Sequence, residues 1–91
     1  MLKILVLSIG KLLLVLDMEN NPVTGFGLSY NEELIYCEAV MTDEGYEILF
    51  NGNWRARIEL NEIDIWMLAA GAPLPQTIID EIGNKIEEHY D

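Results

Sequence analysis

The sequence predicts an α+β domain: an antiparallel meander of five or six strands with one C-terminal helix packed on one face. Three observations predict it. Short runs rich in Ile, Leu, Val, Tyr and Trp alternate with turn-forming clusters, as in LIYCEAVM, TDEG, YEILF, NGN and WRARIEL between residues 34 and 60. The closing stretch LPQTIIDEIGNKIEEHY, residues 74–90, repeats its apolar residues at helical rather than strand spacing. A chain of 91 residues has room for one core, so residues 1–91 read as a single domain.

The opening divides at Gly10 and Lys11 into two apolar runs, 2–9 and 11–18, each of strand length, and a hairpin is their simplest arrangement. Both runs are apolar on both faces, which calls for cover on two sides. Lys11 interrupts the region, no small-residue cleavage site follows, and neither run approaches the roughly 20 apolar residues of a membrane span. The segment therefore reads as structure rather than as a signal peptide or anchor. Residues 19–27, ENNPVTGFG, concentrate Asn, Pro and Gly and read as a long loop. Its GFG lacks the Gly-x-Gly-x-x-Gly spacing and the following amphipathic helix of a phosphate-cradling loop.

Strands at 34–41, 46–50 and 54–60 come next, and facing decides how they pair. A three-residue loop at Asn51–Asn53 sets Phe50 against Trp54, Ile48 against Ala56 and Tyr46 against Ile58 on one face. It sets Glu47 against Arg57 and Leu49 against Arg55 on the other, whereas a two-residue loop would mix charged and apolar positions. Across TDEG, Met41 meets Tyr46, Ala39 meets Ile48 and Cys37 meets Phe50, which turns Cys37 into the core. Leu34, Tyr36, Val40 and Leu49 then share the face away from Trp54 with Glu38, Glu47, Arg55 and Arg57. That half-apolar surface is the candidate interface. IDIWMLAA, residues 63–70, reads as a further strand in preference to a short helix because of its Ile and Trp.

In the closing helix Pro75 suits the first helical position, where its missing N–H costs nothing. At about 100° per residue, Ile78, Ile79, Ile82, Gly83, Ile86 and Tyr90 fall on one arc, and Asp80, Glu81, Asn84, Lys85, Glu87 and Glu88 on the other. Gly83 costs about 1 kcal/mol of helix propensity relative to Ala, which a close approach to another element would offset.

Charge narrows the function. Sixteen acidic residues against five basic leave a net charge of −11, and residues 17–50 contain no Lys or Arg at all. Nucleic-acid affinity rests on phosphate neutralisation, so this balance speaks against nucleic acid as a partner. A basic protein fits it, with electrostatic steering of the encounter. Hydrophobic residues make up 51% of so short a chain, more than a small fold readily hides, which predicts a homodimer using the nearly acid-free N-terminal region. The single Cys37 rules out an intrachain disulfide and suits a reducing cytoplasm.

Candidates for chemistry are sparse. His89, the only histidine, sits at the rim of the apolar arc near the helix C-terminus, where the dipole favours an imidazolium. Cys37 faces the core near acids, a poor setting for a nucleophile. Glu62 and Asp64 would share a strand face if the strand ran back that far, but no calcium-loop pattern surrounds them. Arg55 and Arg57 beside Trp54 have Glu47 and Glu59 close by, so cross-strand ion pairs are expected rather than phosphate contacts. No catalytic, metal-binding or cofactor-binding residue is assigned.

With Trp54 and Trp66 upstream and Gly71 just before the Pro-Leu-Pro, the closing LPQTIIDEIGNKIEEHY resembles small uncharacterised acidic proteins of phage-like or mobile-element origin. The resemblance covers the last third of the chain and implies no catalytic residue, cofactor or activity. The expected function is a non-enzymatic protein-interaction module, an acidic inhibitor of a basic nucleic-acid-handling or defence protein. The alternative is a small-ligand-binding protein or enzyme with a pocket between sheet and helix lined by Trp54, Trp66 and Tyr90.

Overall fold

A computed structural model describes residues 21–90. Five strands, β1 (Val23–Tyr30), β2 (Glu33–Thr42), β3 (Gly45–Phe50), β4 (Asn53–Leu60) and β5 (Trp66–Gly71), precede one helix, α1 (Gln76–Tyr90). The strands form one antiparallel sheet in chain order, β1-β2-β3-β4-β5, with β1 and β5 at its edges. The runs 2–9 and 11–18 lie outside the described residues.

The expected loop at 19–27 is corrected by β1, which begins at Val23. Thr24, Phe26, Leu28 and Tyr30 alternate towards the helix side, while Val23, Gly25, Gly27 and Ser29 occupy the opposite face. Gly25, which looks like a loop residue, has a packing reason. A Cβ at Gly25 would run into the Tyr36 hydroxyl from the neighbouring strand, so the glycine lets an aromatic ring lie across the sheet.

Across the β2–β3 turn the predicted register holds: Cys37 opposes Phe50, Ala39 opposes Ile48 and Met41 opposes Tyr46. Between β3 and β4 both loop lengths have a part. Tyr46–Ile58, Glu47–Arg57 and Ile48–Ala56 pair as expected, but Leu49 then opposes Trp54 and Phe50 opposes Asn53. Asn51 and Gly52, at φ 52° and 84°, form a two-residue turn with both residues left-handed, the geometry that Asn-Gly favours. Arg55 is the extra residue of a bulge, and the bulge restores inward facing beyond it. Trp54 therefore leaves the core face that a three-residue loop would have assigned to it.

The strand at 63–70 starts later than expected, at Trp66. Residues 61–65 instead form a turn in which the Asn61 side-chain oxygen accepts from the amides of Ile63 and Ile65, both at 2.9 Å. In α1, the amides of Ile78 and Ile79 donate to the Pro75 carbonyl, so Pro75 caps the helix from the position just before its first residue, Gln76, rather than occupying the first helical position. Ile79, Ile82, Gly83 and Ile86 are buried, and they meet Leu28, Cys37, Ala39, Ile48, Ala56 and Ile58 from the sheet. Fifteen residues at a 1.5 Å rise make a helix about 22 Å long, and five strands span about 19 Å. One helix can thus touch both edge strands and close the whole face, and α1 does pack against both β1 and β5.

Gly83 has the predicted close neighbour. A Cβ there would sit within the Trp66 indole, so the helix approaches the start of β5 at backbone distance. Trp66 is held at three points, two on its indole and one on its backbone. Its Nε1 donates to Glu87 Oε2 at 3.0 Å, its ring meets Tyr46 edge-on at 5.6 Å, and the Trp66 carbonyl accepts from Gln76 Nε2 at 2.8 Å.

Candidate interaction surface

Three of the four candidate interface residues remain accessible on the face opposite the helix. Leu34 is 83% exposed and Tyr36 55%, while Leu49 is half-buried. Val40 is only 4% exposed and contributes little to any contact there. Trp54 joins this face through the bulge at Arg55, and at 46% exposure it extends the apolar area across β4. Leu49 and Trp54 are direct cross-strand partners, so Leu34, Tyr36, Leu49 and Trp54 form a band over β2, β3 and β4 near the Asn51 turn. Sequence reasoning placed Trp54 on the other face because the bulge is invisible to period-two facing.

Beside the band lies a buried carboxylate. Glu47 is 3% exposed; its Oε1 accepts from Trp54 Nε1 at 2.6 Å, and its Oε2 lies 3.9 Å from Arg57 Nη1. The expected Glu47–Arg57 pair is therefore present. Arg57 also reaches Glu44 at 3.3 Å and Glu59 at 3.8 Å, so one guanidinium answers three carboxylates. Burying a carboxylate is costly unless it is paired and hydrogen-bonded, and Trp54 with Arg57 meets both conditions.

Arg55 is engaged as well, though not with Leu49 as expected. Its guanidinium donates to the carbonyls of Ala72 and Pro73 at 2.8 and 3.0 Å and lies 5.7 Å from the Phe50 ring centroid. Both arginines thus hold the fold together, and the carboxylates of the turns and of the outer face of α1 dominate the surface.

The residues of the alternative pocket are not brought together. Trp54 is on the face away from the helix, and Tyr90, 43% exposed, is at the helix end. Trp66 does border a cleft of about 450 Å³, but its other walls are Asp64, Ile65, Gln76, Asp80, Asn84 and Glu87. A cleft with three carboxylates and no cation suits a positively charged group. Burial, with the nearby Tyr90 phenol as a smaller contribution, pushes the Tyr46 phenol above its ordinary value.

The remaining candidates fall into structural positions. Cys37 is fully buried, and burial, reinforced by the Glu38 charge, pushes its thiol up to about 12, far from the thiolate a nucleophile needs. His89 stacks edge-on against Tyr90 at 4.7 Å in the last turn of α1. Glu62 and Asp64 belong to the turn before β5, not to a shared strand face, and Asp64 takes a left-handed φ of 63°. Among the described residues no group of three or more His, Cys, Asp or Glu side chains is placed to hold a metal ion. No helix among them is long and apolar enough to cross a membrane.

Compared with protein-family models, curated proteins and solved structures, the chain matches none. The class that fold and surface define is a small α+β domain with an acidic exterior and an apolar band on the sheet face opposite the helix.

Proposed function

We propose that this chain is a non-enzymatic, cytoplasmic interaction module that covers a basic site on a nucleic-acid-handling or defence protein and inhibits it. The observation that carries this reading is the engagement of both arginines. Arg57 is surrounded by Glu44, Glu47 and Glu59, and Arg55 is held by backbone carbonyls, so among the described residues only Lys85 is left outside these contacts to oppose the acidic surface. Such a surface accelerates encounter with a basic partner and repels nucleic acid. The resemblance of the closing third to small acidic proteins of mobile elements supports the same reading. The chain also self-associates, with the exposed Leu34 and Tyr36 available for the contact.

Titration against a panel of basic nucleases and DNA-binding proteins at low and high ionic strength tests the proposal. Binding that competes with nucleic acid and weakens steeply with salt is expected. Affinity that stays flat from about 0.1 M to about 1 M salt would count against an acidic docking surface. A second reading, a ligand-binding protein, draws support from the cleft at Trp66. Its three carboxylates restrict the ligand to a cation, and thermal stabilisation by a polyamine rather than by neutral metabolites would favour it.

A further inference from the structure

The two edges of the sheet are finished differently. β5 is six residues long and carries a bulge at Ala69. Its Trp66 carbonyl is capped by Gln76, and Pro73 and Pro75 follow it. These are devices that stop a sheet edge from pairing further. β1 has none of them along its length. It pairs with β2 over eight residues without interruption, and VTGFGLSY contains no charged residue, although the chain as a whole carries −11.

The direction of its free backbone groups follows from the register. The amide of Met41 donates to the carbonyl of Pro22, so Pro22 and the even-numbered residues after it direct their polar groups towards β2. Val23, Gly25, Gly27 and Ser29 therefore direct their N–H and C=O groups away from the sheet. Among the described residues nothing pairs with them.

We propose that this edge is the self-association surface: β1 of one copy pairs antiparallel with β1 of a second copy, joining two sheets across a two-fold axis at Phe26. The proposal rests on the self-association stated above and names its site. In the register that sets Val23 against the partner's Ser29 and Gly25 against the partner's Gly27, every outward group finds a partner, for about eight hydrogen bonds. Side chains on the outer face at these positions are small, and Tyr36 already covers Gly25, so the apolar areas of the two copies become neighbours near the axis. The charge pattern permits the approach. Antiparallel pairing of eight residues keeps the Glu32–Glu33 turns of the two copies at opposite ends of a ladder about 27 Å long, well beyond the screening length of about 8 Å.

Two measurements on the full chain test this. Light scattering is expected to give about 21 kDa, twice 10.4 kDa, for the unaltered protein, and 10.4 kDa for Gly27→Pro. The proline removes one outward N–H, and the site has room, since a Cβ at Gly27 would lie 3.6 Å from Leu34 Cδ1, an ordinary contact. Amide exchange at high protein concentration is expected to be slowed about tenfold or more at Gly25, Gly27 and Ser29, with that protection lost on dilution. This readout decides the matter even if the variant fails to fold. A folded Gly27→Pro dimer, or a dimer whose odd-numbered β1 amides exchange freely, would overturn the edge pairing while leaving self-association intact. An unaltered protein that stays at 10.4 kDa throughout the micromolar range would overturn both.

Discussion

Replacing Gly83 by Ala should destabilise the protein, although the same change at an exposed helical glycine would stabilise it. Helix propensity favours Ala by about 1 kcal/mol. Against this, the added Cβ falls within the Trp66 indole, a side chain only 6% exposed and held by Glu87, by Tyr46 and by its own place at the start of β5. The ring cannot turn aside without losing the Glu87 hydrogen bond and the edge contact to Tyr46. Overpacking of a filled site costs about 1–3 kcal/mol, and loss of the hydrogen bond adds about 1. After subtraction of the propensity gain, a net loss of about 1–3 kcal/mol remains. Urea unfolding followed by far-ultraviolet circular dichroism measures it, with an unchanged m-value expected because the exposed area on unfolding is the same. Trp66→Leu provides the control: it removes the obstacle, so adding Gly83→Ala to that background should cost less than it does in the parent by about 1 kcal/mol or more. Stabilisation of the parent by Gly83→Ala would refute the contact.

Other substitutions test the remaining features. Asn51→Ala should cost about 1–2 kcal/mol, since Asn51 adopts φ 52° and its Oδ1 accepts the Tyr36 amide at 2.9 Å; chemical denaturation measures this, and Asn51→Gly should recover part of the loss. Arg57→Ala leaves the buried Glu47 with Trp54 as its main partner and should lower stability by about 2–4 kcal/mol at neutral pH, whereas Glu44→Ala, at the exposed end of the same network, should change it by less than about 1. Cys37 should resist a thiol reagent at pH 8 in the folded state and react once urea unfolds the chain. Its folded value of about 12 stands above the ordinary 9.0, so the folded state binds the proton more tightly. Stability from this group is complete below pH 9 and is lost as pH rises from there towards 12, which melts across that window would show.

Features that depend on neighbours in the chain were legible from the residues. The arc of Ile79, Ile82 and Ile86 places one buried stripe on α1, and period-two facing pairs Cys37 with Phe50 and Glu47 with Arg57, because each pattern is written within one or two adjacent elements. Even the cost of Gly83 pointed to a close neighbour. The identity of that neighbour did not follow, since Trp66 is seventeen residues away and meets the helix only when β5 takes its place at the edge. The same holds for β1, whose Gly25 looks like a loop residue until Tyr36 is laid across it. At the Asn51–Gly52 turn, local preference for a two-residue turn competed with the facing of an entire strand, and a bulge at Arg55 satisfied both by moving Trp54 to the outer face. The composition of the candidate surface was decided there and in the burial of Val40 and Glu47. Bulges, cross-strand cover and burial depend on residues brought together by the sheet, so only the tertiary structure could assign them.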